Sequence, residues 1–181
     1  MLTLICHPET ELQEQKLWQG TLDSQLSANG LQIAHELEPI AAERAYVAPS
    51  SHVLQFAKII LKNEFTVIPQ FADRSMGNLT GREYRQTLNE FPRRNWLAWH
   101  RSYWTAPPDG ESLFDISDRV LTTFRTQVAP VLATEKVAIV CAADVLRMLI
   151  GYITKQDETE LMKIEIQSAI PYVVNGEIKF P

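Results

Sequence analysis

Cysteine is scarce in this chain: Cys6 and Cys141 are the two present among 181 residues. Two cysteines make no disulfide framework, so packing must hold the core, and the expected setting is reduced and cytoplasmic. Long apolar runs are missing too. No stretch approaches the ~20 residues that a membrane helix needs. The opening MLTLICHPET lacks the basic region of a signal peptide. Positive charge is not in excess either. A net charge of −5 offers no overall basic surface of the kind that holds nucleic-acid phosphates. Neither a nucleic acid nor a membrane is therefore expected as a partner. Internal repeats and low-complexity segments are absent.

What is present is ordinary globular composition, with 45% hydrophobic and 22% charged residues. At ~150 residues per domain, residues 1–181 make about one domain, long enough for its own core. Apolar runs at Leu2 to Cys6, Ala45 to Ala48, Phe65 to Pro69 and Lys136 to Cys141 read as strands. Met162 to Gln167 and Tyr172 to Phe180 read as two more, the second turning at Asn175-Gly176. Helical spacing runs from Ser27 to Leu37, from Ser50 or Ser51 onward, from Arg82 to Phe91, from Ser112 to Ala133 and from Asp144 to Thr154. Pro8 to Ser27 is polar and without period, so it reads as a long loop. This alternation predicts an α/β fold of three layers, a mainly parallel sheet flanked by helices. Ligands of such sheets sit at the carboxyl ends of the strands. Cys6-His7 and Cys141 to Asp144 occupy such ends.

Six segments carry a resemblance. CHPETELQ at 6–13 is similar to RHGETxxN, and WQGTLDSQLSANG at 18–30 to QGxxDxPLSxxG. VAPSSHVLQFA at 47–57 resembles SSPLxRAxQTA, and FADRSMGNLTG at 71–81 resembles ERxxGxxxG. PDGES at 108–112 matches PxGES, and IVCAADVLR at 139–147 resembles VVSHGGVIR. These are the signatures of the histidine phosphatases, the phosphoglycerate-mutase-like family, in the family's order. The resemblance implies that fold and a phosphohistidine mechanism. His7 stands at the nucleophile, a role that suits a neutral imidazole. No cofactor and no resident metal are expected.

The pocket residues depart from the pattern. The arginine before the nucleophile is Cys6, the second arginine falls on His52, and the second histidine falls on Ala142. Ala143 and Asp144 replace glycines, Pro8 replaces a glycine, Asp73 replaces the glutamic acid and Gln13 the asparagine. A hydrogen bond to a charged group contributes ~1.5–3 kcal/mol. Losing two arginines and a histidine therefore predicts a rate lower by several orders of magnitude. Asp144 also sets a negative charge where a dianion would lie.

Each of these residues has a plain reading beside the functional one. His7 is a nucleophile or a polar relic. Asp73 is a proton donor or the ion-pair partner of Arg74. His52 holds an anion when protonated, or faces solvent or caps a helix. Glu111 orients pocket groups or favours a helix start. Cys6, Gln13, Ala142 and Ala143 line the substrate position. Cys6 and Cys141 are buried thiols, or form a redox or metal site with His7, His52 and Asp144. The aromatic run Trp96 to Trp104 packs, lines a groove or meets a protein partner. The leading expectation is a degenerate family member that binds a small phosphorylated or anionic ligand, or a partner, without efficient turnover. The alternative is an active phosphomonoesterase using His7.

Overall fold

The computed structural model describes residues 1–175, the Arg101 side chain excepted. A sheet of five strands lies at its centre, in the order β3-β2-β4-β1-β5. The strands are β1 (Leu2–Cys6), β2 (Arg44–Val47), β3 (Thr66–Val67), β4 (Val137–Cys141) and β5 (Tyr172–Val174). β1, β2, β3 and β4 pair in parallel, and β5 runs antiparallel to β1 at the edge. All five residues of LTLIC and of VAIVC are buried. Such unbroken burial, with no polar alternation, belongs to strands covered on both faces. The helices supply that cover and make the three layers. Among them α2 (Ala28–Glu36) packs on α3 (Ser51–Ile60), and α6 (Leu113–Thr123) packs on α7 (Ala143–Ile153).

The helix starts follow local chemistry. Ser27 caps α2 by accepting the Gly30 amide, and Ser112 with Asp115 forms a capping box on α6. The segment read as a loop holds a short helix, α1 (Glu11–Glu14). A single turn carries no periodicity by which a sequence would show it. Its start is written in the Thr10 and Gln13 capping box instead. α6 ends sooner than the spacing predicts. A π turn at Phe124–Val128 and a 3-10 turn at Ala129–Val131 follow it, the latter at Pro130, which lacks an amide proton. β3 shrinks to two residues. Met162 to Gln167 is not a strand, since no ladder reaches it. The strand reading of Tyr172 onward holds for β5, whereas the Asn175-Gly176 turn and the run to Phe180 lie outside the described residues.

The parallel topology sends the carboxyl ends of β1 and β4 to the same edge, side by side. Cys6 faces Cys141 in the ladder, and the His7 amide donates to the Cys141 carbonyl at 3.4 Å. Two further helices, α4 (Tyr84–Glu90) and α5 (Arg93–Arg101), lie beyond this edge. Trp18, on the pocket lining, stacks on His100 of α5 at 4.6 Å between ring centroids.

Candidate functional site

His7 follows β1 directly and is 4% exposed. Its Nδ1 lies 2.7 Å from the Pro8 carbonyl oxygen. A carbonyl only accepts, so Nδ1 carries the proton and Nε2 keeps the lone pair. Burial, and then the neighbouring His52, push the His7 pKa down to about 4, against the opposing pull of Asp73 and the Pro8 oxygen. The ring is therefore neutral at pH 7.

This has a consequence for stability. In the unfolded chain an imidazole takes its proton near pH 6.5; folded, His7 does not until about pH 4. Between those values the unfolded state binds more protons, so acid favours unfolding. The contribution is complete above about pH 6.5 and falls by about 3 kcal/mol as pH drops towards 4. His7→Asn should flatten the stability curve over that window in urea titrations. An unchanged slope in the variant would contradict the assignment.

His52 sits on α3, and its ring centroid is 4.3 Å from that of His7. It is fully buried among Val53, Phe56 and the other inward residues of α3. The reading of His52 as solvent-facing or as a cap is thus wrong; Ser50 is the N-cap. Gln19 Nε2 donates to His52 Nδ1 at 3.1 Å, and His52 Nε2 lies 3.4 Å from Asp73 Oδ2. Thr10 Oγ1 donates to Gln19 Oε1 at 2.5 Å and fixes the amide. The ring is thus held from both sides, by the Gln19 amide and the Asp73 carboxylate. His52 does not line the pocket itself.

Asp73 is buried and pairs with His52, not with Arg74. Its other oxygen, Oδ1, is buried without a hydrogen-bond partner among the described residues. Arg74 turns instead to Asp144: Nε lies 2.8 Å from Oδ2, and both Nη atoms donate to the Trp99 carbonyl at 3.1 and 3.2 Å. Arg147 holds the other oxygen of Asp144 at 2.5 Å, and its Nε donates to the Ile164 carbonyl. Burial pushes the Asp144 carboxyl up, but Arg74 and Arg147 outweigh it and hold it below the ordinary carboxylate range. Asp144 therefore pairs rather than standing as a bare repulsive charge.

These groups surround a pocket of about 310 Å³ at the carboxyl ends of β1 and β4. His7, Cys6, Gln13, Asp73, Ala142 and Ala143 all line it. Gln13 has a second duty there, since its Oε1 accepts the Thr10 amide in the α1 cap. Glu111 does not line this pocket. Its Oε2 accepts the Ser75 amide at 2.8 Å and pairs with Arg119 at 3.5 Å, on the far side of Asp73. Glu111 thereby ties the 108–112 loop to the segment carrying Asp73 and Arg74. Gly77 makes that seam close: its φ is +52°, and a Cβ there would meet the Pro108 oxygen at 2.1 Å. Cys6 and Cys141 are free, buried thiols. Burial pushes Cys6 up to about 12 and Cys141 well up from its ordinary value. Among the described residues no three His, Cys, Asp or Glu side chains are grouped to hold a metal ion.

Reading the sequence position by position missed Arg74, Arg147 and Gln19 in the lining. All three stood inside the matched segments, in FADRSMG, AADVLR and WQG.

Fold and site together define a histidine-centred pocket at the strand ends of a parallel α/β sheet. The chain belongs to the histidine phosphatase superfamily (branch 1), whose family model matches residues 2–177. Over 186 aligned residues it is 26% identical to a 2,3-bisphosphoglycerate-dependent phosphoglycerate mutase of Parvibaculum lavamentivorans, covering 96% of this chain and 89% of that one. A mutase of the same name from Chlamydia pneumoniae is 37% identical over 102 residues, 56% of this chain and 45% of the other. In several such matches the chain spans about half the length of the curated relative. Among solved structures, Bacillus stearothermophilus YhfR aligns with a TM-score of 0.82 at 22% identity, over 99% of this chain and 93% of its own. The alpha-ribazole phosphatase of Shigella flexneri aligns at 0.79 and 22%, over 94% and 87%. No helix among the described residues is long and apolar enough to cross a membrane.

Proposed function

We propose that this chain holds a small phosphorylated or anionic ligand at His7 without efficient turnover. One observation carries the reading: Asp144 sits between Arg74 and Arg147 and bridges both guanidinium groups. Two arginines and two carboxylates, Asp73 and Asp144, face the pocket, so their charges cancel. His7 is neutral at pH 7 and adds none. Phosphoryl transfer spreads negative charge over three equatorial oxygens and depends on cations already aimed at them. Here the cations are aimed at Asp144 and at backbone carbonyls. Arg147 lines the pocket and is the more exposed of the two arginines, 17% against 6%, so it is the cation better able to meet a ligand anion. Its substitution should therefore weaken binding of vanadate, the anion named in the complex of a fold neighbour, a mycobacterial glucosyl-3-phosphoglycerate phosphatase. In calorimetric titration, Arg147→Gln should lower vanadate affinity by about tenfold, the value of one charge-assisted hydrogen bond. Equal affinity in both proteins would count against the reading.

A second reading has its own support. His7 presents an unprotonated Nε2 in a neutral ring, the state a phosphoryl-accepting nucleophile requires. Asp73 lines the same pocket without a guanidinium partner and is the carboxyl group that would exchange a proton with a leaving group. On that reading the chain is a phosphomonoesterase with displaced helpers. The charge cancellation favours the first.

A further inference from the structure

Uncompensated positive charge gathers on α4 and α5. Between Lys62 and Lys136 there is no lysine, and the fixed cations are arginines. Arg85 on α4 and Arg93 and Arg94 on α5 are exposed. None of these three has an ion-pair or hydrogen-bond partner among the described residues. By contrast Arg44, Arg74, Arg82, Arg119 and Arg147 each meet a carboxylate, and Arg125 lies over the Tyr152 ring. In a chain of net charge −5 this is a local reversal of sign. It also runs against local stability. Arg93 and Arg94 open α5, whose first turn holds no acidic residue, and the helix dipole disfavours cations there.

The charge is ordered along one face. Arg93, Leu97 and His100 recur at helical spacing, while Trp99 points inward at 4% exposed. His100 carries this stripe into a concavity of about 900 Å³ that Trp104 also lines. Trp104 is 59% exposed yet braced, its ring 4.8 Å from Phe114 and 5.0 Å from Tyr103. Arginine and tryptophan, without lysine, are the residues that dominate the centres of protein interfaces.

We infer that the outer face of α5, continued to Trp104, docks a protein segment rich in aspartate and glutamate that carries an apolar side chain. Charge complementarity selects this partner: a guanidinium fork matches a carboxylate through two parallel hydrogen bonds. The concavity holds both signs, Arg147 and Lys163 against Glu158 and Glu165. The acidic stretch therefore lies along α5 and the apolar group against Trp104. Three arginines are too few to track a duplex that carries one charge per ~1.7 Å. The inference is independent of what the His7 pocket binds. His100 also lines that pocket, so a docked segment borders its entrance.

The test is fluorescence anisotropy, titrating the full chain into a labelled peptide of aspartate and glutamate with two central leucines. The peptide should bind, and more weakly as salt rises. Arg93→Glu with Arg94→Glu should lower the affinity at least about tenfold, as the loss of central interface arginines does. Thermal stability should hold or rise, because both changes suit the first turn of a helix. Lys58→Glu with Lys62→Glu reverses two exposed charges elsewhere and should leave the affinity unchanged. Trp104→Ala should weaken the leucine-bearing peptide and leave an all-acidic one unaffected. Absence of peptide binding at low salt overturns the docking surface, as does an equal loss from the two paired reversals. Tighter, Arg93-dependent binding of a single-stranded oligonucleotide or of phosphatidylserine vesicles overturns it in favour of another partner. Self-association of the chain that Arg93→Glu abolishes overturns it in favour of a second copy.

Discussion

Asp144→Asn should raise the affinity of the His7 pocket for vanadate by about tenfold to a hundredfold. Asp144 is the internal anion of this pocket, held by Arg74 at 2.8 Å and by Arg147 at 2.5 Å. Removing its charge frees two guanidinium groups while keeping the shape of the side chain. One or more charge-assisted hydrogen bonds to the ligand, each ~1.5–3 kcal/mol, become available. The same change should destabilise the unliganded protein. Arg74 is 7% exposed and would keep its charge with only the Trp99 carbonyl to meet it. Breaking a buried pair from one side costs about 3–5 kcal/mol; the partial exposure of Asp144 places the expected loss at the lower end. Vanadate should restore much of that loss, because ligand binding stabilises the folded state by mass action. Calorimetric titration and thermal unfolding with and without vanadate read both effects. A variant that neither gains affinity nor loses stability would show that Asp144 is not the competing anion.

A second change should have a larger effect on chemistry. Ala142→His together with Asp144→Gly sets back the histidine and glycine that the family pattern carries after β4. Ala142 lines the pocket as the N-cap of α7, and it has room, being partly exposed. The pair adds a titratable ring beside the phosphoryl position and releases Arg74 and Arg147. Each positioned donor at a developing charge contributes about 10²–10³ in rate where it has been measured. The double variant should therefore hydrolyse p-nitrophenyl phosphate at least about a hundredfold faster than the parent. Adding His7→Ala should return the rate to background. A gain that survives the loss of His7 would assign it to some other group.

Much of this was legible in the sequence, for reasons that differ by region. β1 and β4 announce themselves as unbroken apolar runs because both faces of the central strands are buried. His7 at the end of β1 and Ala142 after β4 meet because parallel strands carry both to one edge. Side-chain pairing was not legible. Asp73 precedes Arg74 in the chain, and adjacency invites an ion pair between them. Neighbours in an irregular segment can point apart, and here one carboxylate goes to His52 and the guanidinium to Asp144. Glu111 was misplaced for a related reason: the loop sequence marks its segment but not which of two adjoining spaces the carboxylate enters. The burial of His52 was hidden because its polarity suggested surface. The satisfied environment that admits it comes from Gln19, thirty-three positions away. Met162 to Gln167 has strand composition, but the sheet edge beside β1 is taken by β5.

Our proposal that Asp144 occupies the pocket's cations, so that none is aimed at a transferring phosphoryl group, is tested most directly by one rate. Hydrolysis of p-nitrophenyl phosphate by the wild-type chain should be measured against His7→Ala at saturating substrate. The two should be indistinguishable, both at the buffer background. A His7-dependent turnover in the ordinary enzyme range of ~1–10³ s⁻¹ would contradict the account and establish the chain as a working phosphatase.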